Sequence, residues 1–167
     1  MVGLTQYRSS APERVTAFVG LGGNLGDAAE ALHAAIKAFD DIPLTQVRAV
    51  SSFYRSQPID SSGPDYLNAV AELQTALTAP ALLCHLQAIE QGAGRERPYR
   101  NAPRTLDLDL LLFGSARIDS PALTVPHPRM AQRAFVLQPL AEIAPARVTP
   151  AQLDAVAAQA IVRVKTS

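Results

Sequence analysis

A chain of 167 residues suits one domain with a full core, and hydrophobic residues make up 48% of it. The 15 Lys and Arg balance the 15 Asp and Glu, so no global charge points to nucleic acid or a membrane surface. A lone cysteine, Cys84, excludes an internal disulfide, and no apolar run approaches the roughly 18 residues of a membrane span.

Residues 1–13 have no continuous apolar stretch of the kind a secretory signal needs, so a cytoplasmic protein is expected, with this segment as a flexible extension of a single domain over 1–167. Residues 15–20, Val-Thr-Ala-Phe-Val-Gly, form a short apolar run that predicts a first strand. A turn follows from Gly22 to Asp27, where Asp27 is placed to cap a helix with Leu32, Ala35, Ile36 and Phe39 on one face. Gly20-x-Gly22 lacks the third glycine of a dinucleotide fingerprint, since position 25 is Leu, and there is no Gly-Lys-Ser/Thr of a phosphate loop. On those grounds the glycines are assigned mainly a structural role.

Two further strands are predicted at 45–58 and 66–77, separated by turn-forming residues at 59–65. Pro80 opens a second helix running to Glu90, with Leu83, Leu86 and Ala79 inward and Cys84 as a small core residue. A loop rich in Gly and Pro precedes a strand beginning near Leu106, and helices are predicted at 133–143 and 151–160. This order is β-α-β-β-α-β, the split arrangement of ferredoxin-like folds, and predicts an α+β protein with a mainly antiparallel sheet covered by helices.

The chemistry concentrates in residues 92–113. Asp107 and Asp109 alternate with Leu106, Leu108 and Leu110, a period of two that places both acids on one strand face, roughly 6–7 Å apart. Read alone, this is either an exposed acidic face or a site for a hard divalent cation such as magnesium shared with a phosphate ligand. Arg95, Arg97, Arg100 and Arg104 fall within ten positions of the preceding loop. Guanidinium forks match phosphate oxygens. Acids that hold metal and arginines that neutralise a polyphosphate together point to phosphoryl chemistry.

Five segments then carry a family resemblance: Gly20-Leu21-Gly22-Gly23-Asn24-Leu25-Gly26-Asp27, Ser51-Ser52-Phe53-Tyr54-Arg55, Pro64-Asp65-Tyr66-Leu67-Asn68-Ala69, Pro103-Arg104-Thr105-Leu106-Asp107-Leu108-Asp109, and Val125-Pro126-His127-Pro128-Arg129 running on to Arg133-Ala134-Phe135. In this order, over about residues 15–145, they resemble the 6-hydroxymethyl-7,8-dihydropterin pyrophosphokinases of folate biosynthesis. The resemblance implies transfer of pyrophosphate from ATP to the pterin alcohol, releasing AMP. It implies two magnesium ions on Asp107 and Asp109. Arg97, Arg104, His127 and Arg133 match phosphate or nucleotide contacts, Arg95 and Arg100 match loop arginines that close over the reacting groups, and Gln87, Glu90 and Thr124 match residues near the nucleoside. Tyr66, Asn68 and Phe135 match the pterin clamp, with Ser56, Gln57 and Ile59 touching the same ring.

Asn101, Ala102, Ala122 and Pro128 depart from the best-known members, and the arginine loop is one residue short. None of these touches the carboxylates. Two rivals stand beside this reading: a phosphotransferase acting on another alcohol, and a non-catalytic binder of nucleotide or pterin. The partners expected are ATP and the pterin, with no nucleic acid and no membrane, and the neutral charge is compatible with a monomer.

Overall fold

Strand β4 (Tyr66–Thr75) is the spine of the sheet. The computed structural model describes residues 13–23, 28–57, 65–93 and 106–164 of the chain. Along β4, Asn68, Ala69, Val70, Ala71, Leu73 and Thr75 are all buried, as a strand covered on both faces requires. It pairs antiparallel with β1 (Val15–Gly23) on one side, and with β2 (Thr45–Val50) and β3 (Tyr54–Ser56) on the other. β1 also pairs antiparallel with β5 (Asp107–Phe113), one edge of the sheet; β3 pairs antiparallel with β8 (Ile161–Arg163), the other. Helix α1 (Ala28–Phe39) connects β1 to β2 and α2 (Ala79–Ala93) connects β4 to β5. The predicted β-α-β-β-α-β frame is thus present.

Each face of the sheet has its own core. On one, Leu32, Ala35 and Phe39 of α1 and Leu82 and Leu86 of α2 meet Val19, Leu21, Ala71, Leu73, Leu108 and Leu110. On the other, α3 (Ala134–Ile143) lays Val136, Leu137 and Leu140 against Phe18, Val70 and Leu111, joined by Val156 beyond α4 (Pro150–Ala155). Thr149 starts α4 with a capping box, its hydroxyl accepting from the Gln152 N–H while the Gln152 side chain accepts from the Thr149 N–H.

Several elements differ from the sequence expectation. β1 runs on to Gly23, because Gly22 and Gly23 keep backbone partners in β4 where a turn was expected. The single strand expected at 45–58 is broken between β2 and β3. Val50 pairs with Ala71 and Tyr54 with Asn68, so three residues (Ser51 to Phe53) stand opposite two, a bulge. It is stitched by Ser51, whose N–H donates to the Val70 carbonyl and whose Oγ accepts the Val70 N–H, both at 2.9 Å. The last helix stops at Ala155, and the chain turns into β8, which was not foreseen. Neither was the hairpin of β6 (Ile118–Asp119) and β7 (Thr124–Val125), too short to show a period. Cys84, expected inside, is exposed, since α2 turns Ala79, Leu82 and Leu86 inward and position 84 lies off that stripe. The expected cap Asp27 and most of the loop at 59–65 lie outside the described residues, as does nearly all of the 1–13 extension. Among the described residues no helix is long and apolar enough to cross a membrane.

Candidate active site

Register assembles the site. Asp107 stands opposite Gly22, Gly22 opposite Asn68, and Asn68 opposite Tyr54. Residues directly opposed in antiparallel strands project from the same face. These four therefore form one row across β5, β1, β4 and β3, on the α3 side of the sheet, with Asp109, Gly20 and Val70 in the next row. At roughly 4.8 Å between strands, the Asp107 and Asn68 backbones are about 10 Å apart, with only a glycine between them. Asp107 is exposed and Asp109 half-buried.

A bulge in β5 brings the histidine loop to the acids. Val19 pairs with Leu110 and Phe18 with Leu112, which leaves Leu111 without a partner on β1. The Leu111 carbonyl accepts the His127 N–H at 2.9 Å. His127 Nδ1 in turn accepts the Arg129 N–H at 3.2 Å, so the neutral ring carries its proton on Nε2. Burial pushes the His127 pKa down, and although Asp109 pulls it up, Arg133 and Arg129 push it further down, leaving it below the ordinary value of 6.5. At neutral pH His127 is a neutral donor. Asp107, Asp109, His127, Pro128, Arg129 and Arg133 line an open cleft of about 470 Å³. Arg129 was quoted in the sequence motif but given no role; one arginine after a proline has no periodic signal to mark it.

Beyond Gly22 the row becomes polar and aromatic. Asn68 is 7% exposed, and its Nδ2 donates to Ser56 Oγ at 3.4 Å. Tyr66 stands opposite Ser56 and two residues from Asn68, on the same face, and is 38% exposed. Phe135 lies in the first turn of α3, half-buried against the second core, with the Arg133 guanidinium carbon 5.3 Å from its ring centre. Tyr54 closes the row through its hydroxyl, which donates to Glu142 Oε1 of α3 at 2.8 Å. Glu142 Oε2 also accepts the Ser52 N–H at 2.6 Å, and Arg163 of β8 is 3.3 Å from Oε1.

Not every predicted residue gathers there. Glu90 reaches the edge of β5 from α2, its Oε2 accepting the Leu108 N–H at 3.3 Å, between the two acids in sequence. Gln87 is exposed one turn earlier, Gln57 is exposed just past β3, and Thr124 pairs with Asp119 in the small hairpin; none lines the cleft. Ile59, Arg95, Arg97, Arg100 and Arg104 lie outside the described residues. Among the described residues no three His, Cys, Asp or Glu side chains are grouped to hold a metal. Two adjacent carboxylates on an open cleft suit a hard cation that takes its other ligands from phosphate and water.

Comparison with known proteins bears on this arrangement. The family model described as 7,8-dihydro-6-hydroxymethylpterin-pyrophosphokinase (HPPK) matches residues 18–145. The chain is 47% identical over 137 residues to the 2-amino-4-hydroxy-6-hydroxymethyldihydropteridine pyrophosphokinase of Haemophilus influenzae, covering 81% of this chain and 86% of that one. Against the protein of the same name from Pseudomonas aeruginosa it is 50% identical over 129 residues, 77% of this chain and 80% of that one. Among solved structures it is similar to a Plasmodium falciparum HPPK-DHPS triple mutant with STZ-DHP (TM-score 0.64, 12% identity, 82% of this chain). It is also similar to an HPPK-DHPS in complex with substrates (TM-score 0.66, 12% identity, 86% of this chain). The chain spans only 41% and 43% of those two longer chains, and at such identity the likeness shows the fold alone.

Proposed function

The chain belongs to the 7,8-dihydro-6-hydroxymethylpterin-pyrophosphokinase family, and on that premise we propose how its residues carry the reaction. The enzyme transfers the pyrophosphoryl group of ATP to 6-hydroxymethyl-7,8-dihydropterin in folate biosynthesis, yielding the pterin pyrophosphate and AMP. The observation that carries the assignment of roles is the row Asp107–Gly22–Asn68: paired acids at one end, a buried amide at the other, open backbone between.

The pterin lies at the Asn68 end. Asn68 reads the edge of the ring, Tyr66 and Phe135 cover its faces, and Ser56, Gln57 and Ile59 border it. ATP lies at the acid end, where His127, Arg129 and Arg133 face its phosphates, with Arg97 and Arg104. Gln87, Glu90 and Thr124 are assigned to the nucleoside side. Arg95 and Arg100 close over the reacting groups. Asp107 and Asp109 would hold magnesium, two ions in this reading, which would neutralise the polyphosphate and lower the pKa of the attacking hydroxyl.

In the step itself the hydroxymethyl oxygen attacks the β-phosphorus in line. The new O–P bond forms as the bond from the β-phosphorus to the bridging oxygen of AMP breaks, AMP leaves with the electron pair, and the hydroxyl proton passes to solvent. Such transfers need positioning and charge neutralisation more than covalent help. His127 is suited to donate from Nε2 to a phosphate oxygen and not to take the proton. In this reading the enzyme works in the cytoplasm, and its balanced charge is compatible with a monomer.

The test is incubation of the purified protein with ATP, magnesium and the hydroxymethyl pterin, with nucleotide products separated by chromatography. Pterin-dependent AMP with matching pterin pyrophosphate is the expected result. ADP would mean transfer of one phosphoryl group to a different geometry, and tight binding without turnover would mean a binding protein.

A further inference from the structure

β1 carries glycine opposite each of the two acids, Gly20 against Asp109 and Gly22 against Asp107, and the two differ in what a side chain would meet. A Cβ on Gly20 would lie 3.5 Å from the Leu111 side chain, an ordinary contact. A Cβ on Gly22 would lie 2.8 Å from Oδ1 of Asn68, closer than carbon and oxygen approach. The Gly22 backbone is extended and paired on both sides, a conformation open to any residue. Backbone freedom is therefore not what position 22 requires; the position of the Asn68 amide is.

Asn68 has little room to yield. It is buried between β1 and β3, Nδ2 is engaged by Ser56, and Tyr54, the next residue of the row, is held by Glu142. A methyl group at position 22 would rotate the amide away from Ser56 and turn its donor and acceptor out of line. We infer that Gly22 is a specificity-determining positioning residue: its missing side chain lets the Asn68 amide stand over β1 and present a fixed donor–acceptor pair to a flat heterocycle. The inference deepens the proposed function and rests on its assignment of Asn68 to the pterin.

The experiment is a double-variant cycle of Gly22→Ala and Asn68→Ala, with KM measured for each substrate, kcat, and melting temperature. G20A controls for adding a methyl group to the same strand face. A misplaced buried amide corresponds to about a tenfold to hundredfold loss, so G22A is expected to raise the pterin KM by about that much. The ATP KM should move less than about twofold. With the clashing atom removed, G22A/N68A should be no worse for pterin than N68A. If the G22A penalty persists undiminished in the N68A background, Gly22 does not act through Asn68 and the inference fails while the proposed site stands. If N68A alone leaves the pterin KM at its wild-type value, the assignment of Asn68 falls and this inference with it. Should G22A fail to fold, G22A/N68A must still fold; its failure would also overturn the inference.

Discussion

Asp107 and Asp109 are legible in the sequence because a strand leaves no freedom about where alternate residues point. Two like charges on one face of a Leu-rich strand repel each other, and they contribute nothing to the apolar core on its other face. In the proposed function their use is chemical. A divalent ion on such a pair is worth several kcal/mol in the transition state, which sets the loss from Asp107→Ala or Asp109→Ala at about a thousandfold or more in kcat. Each variant should keep the wild-type circular dichroism spectrum. Turnover within tenfold of wild type in either would remove the carboxylates from the mechanism. His127 was legible as a motif residue, but its protonation was not. That depends on burial, on the Arg129 N–H at Nδ1, and on charges of Asp109 and Arg133 brought from other parts of the chain.

Among the elements, α3 and β3 are held in mutual position by one carboxylate. Desolvation raises the pKa of Glu142, but hydrogen bonds from the Ser52 backbone, Tyr54 and Ser52, with the charge of Arg163, bring it below the ordinary 4.5. Because the folded value is depressed, this stabilisation is present above the unfolded value and is lost as pH falls through the folded one. Glu142→Gln should therefore be about 1.5–3 kcal/mol less stable than wild type at pH 7, with the gap closing below about pH 4. Urea unfolding at pH 7 and pH 3 measures it; a gap of equal size at both would show that the charge is not what matters. Arg163 is 61% exposed and contributes little to the difference. Tyr54 is the mirror case. Desolvation first, then Glu142, raises it to about 12, so its contribution holds below the unfolded value of 10 and is lost as pH rises through 12. The hydrophobic pattern could not anticipate this tie, since Tyr54 and Glu142 are 88 residues apart. The break between β2 and β3 escaped for a related reason: Ser51 and Ser52 fit an alternating strand, and only the opposing strand shows one residue too many.

At the scale of the molecule, the sheet is covered on both faces and the acids come off one end of it. Leu73 lies at the centre, fully buried with Leu32, Phe39 and Leu82 in the first core. Leu73→Ala should cost about 2–5 kcal/mol, which at about 2–4 °C per kcal/mol is a fall of roughly 10 °C in Tm. The protein that remains folded at 25 °C should keep its kcat, because Leu73 faces away from the cleft. A tenfold lower kcat with full native signal would mean that the first core is coupled to the site. The β-α-β-β-α-β order was readable because each of its elements buries a periodic apolar face. β8 and the β6–β7 hairpin were not, because two or three residues carry no period.

Local pattern alone determined which residues alternate, which face of each helix is apolar, and that two carboxylates share one side of a strand, since these follow from backbone geometry within a few residues. Motif order was enough to identify the family. Tertiary structure decided what stands between the acids and the amide. The register of β1 between β4 and β5 places Gly22 in that gap and sets its Cα against Asn68. Hydrogen bonds across strands set register, and they join residues more than 40 positions apart in the chain. A glycine that reads as a turn in the sequence is, in the folded sheet, a paired strand residue between Asp107 and Asn68.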